Sequence, residues 1–369
     1  MRWRALGLLV GLVAASGCGL LSAVGGGKRL PDRTAAPALP GSALQKVVDL
    51  DYPPGNVSAS GRVFFTLHPD GKPPHGVMEL VDGKPVPYEP PGTPPYQTVL
   101  SLRIDRKDRL WALDYAGYGR TQPRILAFDL ATNALVQQYD FPSKVAGLLS
   151  MLNDFQIDPA GEAIYIAESS PILQHPAIVV YDPIHQTSRR VLDRHPSVMA
   201  DDYVIQTPGR DMIVWGFYRL KIGIDSIALD PNGEWLYYGA VTADHLYRVP
   251  TRALRDPTLT DEAIGRQVED LGPKVLSDGL SMDTAGNVYL TDMEHSAIVA
   301  FGPDRQLRTI VKDERLRWPD GLGFGPDGWL YVTCSALHHV LFVDDAHVRA
   351  NAPYQIFRFK PGPTGVPGS

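Results

Sequence analysis

Ile227-Ala-Leu-Asp-Pro-Asn-Gly-Glu-Trp-Leu-Tyr237 reads as an apolar strand, a tight turn, and a second strand rich in aromatic residues. The same grammar recurs in Val57-Ser-Ala-Ser-Gly-Arg-Val-Phe-Phe65, Leu102-Arg-Ile-Asp-Arg-Lys-Asp-Arg-Leu-Trp111 and Phe155-Gln-Ile-Asp-Pro-Ala-Gly-Glu-Ala-Ile-Tyr165. It returns in Leu280-Ser-Met-Asp-Thr-Ala-Gly-Asn-Val-Tyr289 and Leu322-Gly-Phe-Gly-Pro-Asp-Gly-Trp-Leu-Tyr331. The turn residues Gly61, Asp108, Gly161, Gly233, Gly286 and Gly328 are spaced by 47, 53, 72, 53 and 42 residues. A period of about 40–50 residues with four strands per unit marks a β-propeller, whose radial packing leaves short, protected edges. Six copies predict an all-β, six-bladed β-propeller over 45–369, each copy forming the inner hairpin of a blade. The long interval holds an insertion at 193–219 with Trp215, Phe217 and Tyr218, expected to cross one face of the disc. Helical pattern is confined to short stretches at 251–255 and 260–266.

Composition agrees. The 369 residues are 44% hydrophobic with 35 Gly and 33 Pro, enough for a large core divided by many turns. With 41 acidic against 35 basic residues the net charge is −6, which repels polyanions and argues against nucleic acid as a partner. Cys18 and Cys334 are too few for a disulfide framework, and Cys334 lies in an apolar run that suits an inert buried thiol.

At the N-terminus, Arg2 and Arg4 precede an apolar run at 5–15, the length of a signal-peptide core and too short for a membrane span. It ends in Ala15-Ser-Gly-Cys18, which resembles a bacterial lipobox with Ala15 where that motif prefers Leu. The reading is a signal peptide at 1–17, lipidation of Cys18 and a flexible Gly- and Pro-rich tether at 18–44. The protein is then exported, either as a lipoprotein held to the membrane by this anchor only or, with ordinary cleavage, as a periplasmic or extracellular protein. No pattern in the chain fixes an oligomeric state.

Counting back eight residues from the turn glycines gives Asn153, Asp225, Asp278 and Asp320. Equivalent positions of successive blades point at one place, so these groups should converge at an axial mouth. Two readings stay open. The Asp-Gly pairs could simply enter the inner strands with their carboxylates solvated, or the repelling carboxylates could share a hard divalent cation, calcium being the natural candidate. With a cation, the mouth suits hydrolysis of a sugar lactone or related ester, with Asp278 as base. Without one, Asn153, Asp154, Asp225 and Asp278 could grip an amine or catechol, with Tyr115, Tyr118 and Trp318 supplying ring contacts. Strand alternation would turn Asp154 away from Asn153, leaving its place ambiguous. Asp292, Glu294, His295, His338 and His339 read as solvated blade loops, and His68 as a packing residue.

Several motifs fail on context. Gly323-Phe-Gly-Pro-Asp-Gly328 enters a strand rather than a phosphate-binding helix, and Asp230-Pro-Asn-Gly233 lacks the downstream bidentate Glu of a calcium loop.

Across roughly 47–359 the chain resembles the major royal jelly protein and Yellow family. The resemblance rests on the order of Pro54-Gly-Asn-Val57, Phe64-Phe-Thr-Leu-His-Pro69, Asp108-Arg-Leu-Trp-Ala-Leu-Asp114, Leu126-Ala-Phe-Asp-Leu130, Tyr139-Asp-Phe-Pro142, Leu152-Asn-Asp-Phe155, Ile178-Val-Val-Tyr-Asp182 and Leu246-Tyr-Arg-Val-Pro-Thr251. It implies an exported six-bladed propeller, with functions ranging from dopachrome conversion to binding of small amines. A more distant resemblance is to the gluconolactonase and regucalcin family. Asn153-Asp-Phe-Gln-Ile-Asp-Pro-Ala-Gly161 and Ser277-Asp-Gly-Leu-Ser-Met-Asp283 look like two of its repeats, and Asp225 stands in the place of a further ligand. That resemblance implies Asn153, Asp225 and Asp278 as ligands of a central divalent metal. The family's first-blade Glu has no counterpart in 53–56, which hold no acidic residue.

Overall fold

The computed structural model describes Val24 and residues 26–369. Cys18, the signal peptide and the lipid site therefore lie outside the described residues. Six four-stranded antiparallel sheets surround one axis, and the quoted repeats are their inner hairpins. The inner strands are Pro54–Ser60, Val99–Ile104, Leu152–Ile157, Ile224–Leu229, Leu280–Met282 and Pro319–Phe324, each beside the next around the ring. Buried Trp111, Tyr165, Tyr238, Tyr289 and Phe128 fill the space between neighboring blades. This is why the second strand of nearly every repeat carries a large aromatic.

The sixth blade is composite. Pro319–Phe324, Leu330–Cys334 and Tyr354–Phe359 are completed on the outside by Gln45–Leu50, which pairs antiparallel with Tyr354–Phe359. A strand from the start of the propeller thus closes the ring against its last strand.

Composition suggests slack up to residue 44, yet 28–44 is docked on the propeller. Lys28 pairs through its backbone with Asp202 and Val204, and Arg33 binds Asp244 at 2.7 Å and the Lys274 carbonyl at 2.9 Å. Ala38 and Leu39 donate backbone bonds to Thr309 and Ile310. Leu30 is buried. Specific partners on blades 4 and 5 override a turn-rich composition.

The insertion does cross a face. It forms two small ribbons, Gln206–Thr207 with Arg210–Asp211 and Ile213–Val214 with Tyr218–Arg219. Gln206 N–H donates to Glu294 of blade 5 at 2.7 Å, and Arg210 donates to the carbonyls of His338 and Leu341 of blade 6. Because the insertion leads directly into Ile224–Leu229, this is the face at which the inner strands begin.

At the opposite end of the axis, 363–369 turns back into the ring. The Gly368 carbonyl accepts from Ile104 N–H at 3.2 Å and from the Ser58 hydroxyl at 2.7 Å, and Phe324 exchanges backbone bonds with Gly368 and Ser369. Gly368 lies at φ +89°, and a β-carbon there would sit 2.5 Å from the Ile104 carbonyl oxygen. The segment joins blades 1, 2 and 6 beneath the channel.

Candidate functional site: an acidic axial mouth

Five inner strands carry a β-bulge at their entry: between Pro54 and Val57, Val99 and Ser101, Leu152 and Phe155, Ile224 and Ser226, and Pro319 and Leu322. A bulge breaks the two-residue alternation and re-aims the side chains beside it. Asn153 and Asp154 therefore both face the center: the Asn153 amide donates to the Asp225 carboxylate, and Asp154 accepts from the Asn56 amide at 2.8 Å. Threonines on the second strands hold these entries. Thr66 Oγ1 accepts from Asn56 N–H, Thr333 Oγ1 from Gly321 N–H, and Thr291 Oγ1 from both Asp278 and Gly279 N–H.

Asp278-Gly279 and Asp320-Gly321 are not free turns. A β-carbon on Gly279 would fall 1.8 Å from the Asp320 carbonyl oxygen, and one on Gly321 2.8 Å from the Asn56 Cα. Glycine is needed because adjacent inner strands close in on one another here, which brings the two aspartates together.

Asp154 and Asp225 are buried, while Asn153, Asp278 and Asp320 are half-buried nearer the opening. Burial raises all four carboxyl pKa values. Asp278 is pushed up to about 6 by burial and by the Asp154 charge, against the opposing hydrogen bond from the Trp318 indole N–H at 2.6 Å. Asp225 and Asp320 are raised well above the ordinary range, burial leading and neighboring carboxylates adding to it. A guanidinium shares the channel: Arg103 donates to the side-chain Oδ1 of Asn56 and stands 3.7 Å from Asp154. Its Nε and Nη2 have no hydrogen-bond partner among the described residues.

The site therefore assembles all five sequence-derived residues, Asn153, Asp154, Asp225, Asp278 and Asp320, around one axis. Amide and carboxylate oxygens are the donor type a hard cation takes, and because the carboxyl pKa values are raised, binding one would compete with protons. No three His, Cys, Asp or Glu side chains among the described residues are grouped closely enough to hold a metal as they stand, so closing a coordination sphere requires side-chain movement.

Other expectations are corrected. Trp318 and Tyr115 are buried: Trp318 holds Asp278 through its indole N–H, Tyr115 packs edge-on against Tyr118 in the core between blades 2 and 3, and half-buried Tyr118 lies near Asp225 and Tyr218. Asp292, Glu294 and His338 are buried rather than solvated. Glu294, raised to about 7 chiefly by burial, clamps the insertion, and His338 stacks on Trp318 at 6.2 Å between ring centers. His68 is a packing residue whose Nδ1 accepts from Asp70 N–H, and Cys334 is a buried free thiol. Sequence reasoning missed Asn56 and Arg103. The signal for Arg103 is a charge in the midst of the apolar inner strand Val99–Ile104.

Fold and site together define a six-bladed propeller with a cluster of acidic side chains on its axis. The chain belongs to the major royal jelly protein family, whose model matches residues 97–343. It is 31% identical to major royal jelly protein 1 of Apis mellifera over 173 residues, 42% of this chain and 37% of the bee protein. Against major royal jelly protein 5 of the same organism it is 26% identical over 227 residues, 56% of this chain and 35% of that one. The matches thus span little more than a third of these relatives. Among solved structures, a calcium-binding regucalcin from Agrobacterium tumefaciens is similar at TM-score 0.58 and 15% identity, covering 90% of this chain and 98% of that one. A gluconolactonase from Xanthomonas campestris is similar at TM-score 0.56 and 14% identity, covering 86% and 88%. These last likenesses are of fold.

Proposed function

We propose that the axial mouth binds a divalent cation, most simply calcium, and with it hydrolyzes a small lactone or related ester. The observation that carries this reading is the convergence of Asp154, Asp225, Asp278 and Asp320 with Asn153 on one axis, where burial raises all four carboxyl pKa values and neighboring carboxylates add to the rise at Asp225, Asp278 and Asp320. Asn153, Asp225 and Asp278 would hold the cation. When bound, it supplies polarization of a carbonyl and a more acidic water. Asp278, ionized when it holds the cation, would take the proton of a water attacking the carbonyl carbon. The C–O bond to the ring oxygen then breaks, and the proton taken from the water returns to that oxygen from Asp278. The regucalcin and gluconolactonase neighbors support the substrate class by analogy.

A second reading has its own observation. The acidic groups are dispersed around the axis rather than gathered as a metal sphere, an arrangement that also suits an organic ammonium spread between Asp225 and Asp278 beside Tyr118. Calcium titration followed by calorimetry, with a screen of lactones and dopachrome in the presence and absence of chelator, separates the two. Calcium binding with chelator-sensitive lactone turnover supports the first; amine binding indifferent to chelator supports the second. We further propose that the protein is exported and anchored through a lipidated Cys18.

A further inference from the structure

Most large apolar side chains in the structure are covered, but Trp215 is 61% exposed, Phe217 52% and Phe342 52%. They form one cluster: the Trp215 ring meets Phe342 edge-on at 5.9 Å and lies 6.3 Å from Phe217. Two separate segments, the insertion and the blade 6 loop, thus meet to display aromatic surface on the face that holds the mouth. Trp215 and Phe342 both hold positive φ, a conformation that costs a bulky residue energy and persists only when its surroundings impose it. An exposed, contiguous aromatic patch of this kind marks a contact surface.

The path of the chain indicates what covers it. Val24, itself 48% exposed, pairs with Tyr218 in the hairpin that carries Trp215 and Phe217. Cys18 precedes Val24 by six residues, a contour of at most about 21 Å. A lipid on Cys18 must therefore enter the bilayer close to the patch. Trp and Phe are the side chains that settle at a bilayer interface, and a single weak attachment becomes stable when a second adds to it.

We propose that Trp215, Phe217 and Phe342 form a membrane-contact surface that seats the anchored protein with its mouth-bearing face toward the lipid. The inference rests on the anchor reading, and the test separates the two. The full-length chain is expressed in bacteria with a labeled fatty acid, purified, and reconstituted in phosphatidylethanolamine–phosphatidylglycerol vesicles containing brominated acyl chains, which quench tryptophan only at close range. Lipid quenching of tryptophan fluorescence should fall at least fivefold in Trp215→Phe, a conservative surface change. Equal quenching in parent and variant, or none in either, overturns the proposal even if label is incorporated at Cys18. Absence of label from the parent defeats the anchor alone, and quenching of Trp215 by added vesicles would still support the surface. A dimer in solution that Trp215→Ser with Phe217→Ser dissociates, without lipid quenching, would assign the patch to a second copy and overturn the membrane.

Discussion

Asn56 and Asp154 are 98 residues apart in the chain, yet the amide of one donates to the carboxylate of the other at 2.8 Å. Between them in sequence blade 2 contributes Arg103, which donates to Asn56 and faces Asp154. Blades 1, 2 and 3 are thus tied at the axis by a buried amide, a cation and an anion. The arrangement orients the floor of the mouth as well as packing it.

Removing Arg103 alone leaves Asp154 buried beside three other acidic groups. Arg103→Leu should cost about 3–5 kcal/mol of stability, read as a lowered urea midpoint, and adding Asp154→Leu should restore much of it. A single variant as stable as the parent would show that the pair does not hold the ring.

Asp278→Asn keeps the shape and removes the charge. Calcium affinity should fall at least about tenfold and lactone turnover at least about a hundredfold, measured by calorimetry and initial rates. Calcium affinity equal to the parent's would remove Asp278 from the ligand set.

The pH dependence has a definite sign. Asp278 is raised in the fold from 3.8 to about 6, so its protonated form stabilizes the protein. That contribution is full below the unfolded value and is lost as pH rises through about 6. Cation binding runs the other way: affinity should climb by at least a few-fold per pH unit through the Asp278 range around 6, with proton release detectable by calorimetry in two buffers. A flat profile between pH 5 and 7 would exclude proton displacement from Asp278.

Trp318→Phe preserves the buried ring and deletes the N–H that favors ionized Asp278. The midpoint of the calcium-binding profile should move to higher pH, whereas a merely structural role for Trp318 would change stability and leave the midpoint in place.

Gly279→Ala should destabilize by about 3 kcal/mol, because the new methyl meets the Asp320 carbonyl and the inner strands must separate. A thermal melt unchanged by the substitution would show that the close approach is dispensable.

The blade count was legible because each inner hairpin repeats the same turn chemistry at blade-sized intervals, and four of the acidic or amide positions followed from a constant offset to the turn. Asp154 was ambiguous because alternation along a strand is the rule that a bulge suspends, and the bulge between Leu152 and Phe155 has no single-residue signature. Arg103 and Asn56 escaped the offset, which in blades 1 and 2 lands on Pro53 and Leu100. Docking of 28–44 depends on partners such as Asp244 and Thr309, more than two hundred residues away, and local composition carries no trace of them.

The segment 363–369 is stitched across blades 1, 2 and 6 by the backbone of Gly368, so the closing blade is gripped from both ends of the propeller: Gln45–Leu50 outside and the last residues inside. Trimming 363–369 should therefore loosen the ring at its seam, so that amides of Pro319–Phe324 exchange hydrogen faster while those of the remote inner strand Ile224–Leu229 do not.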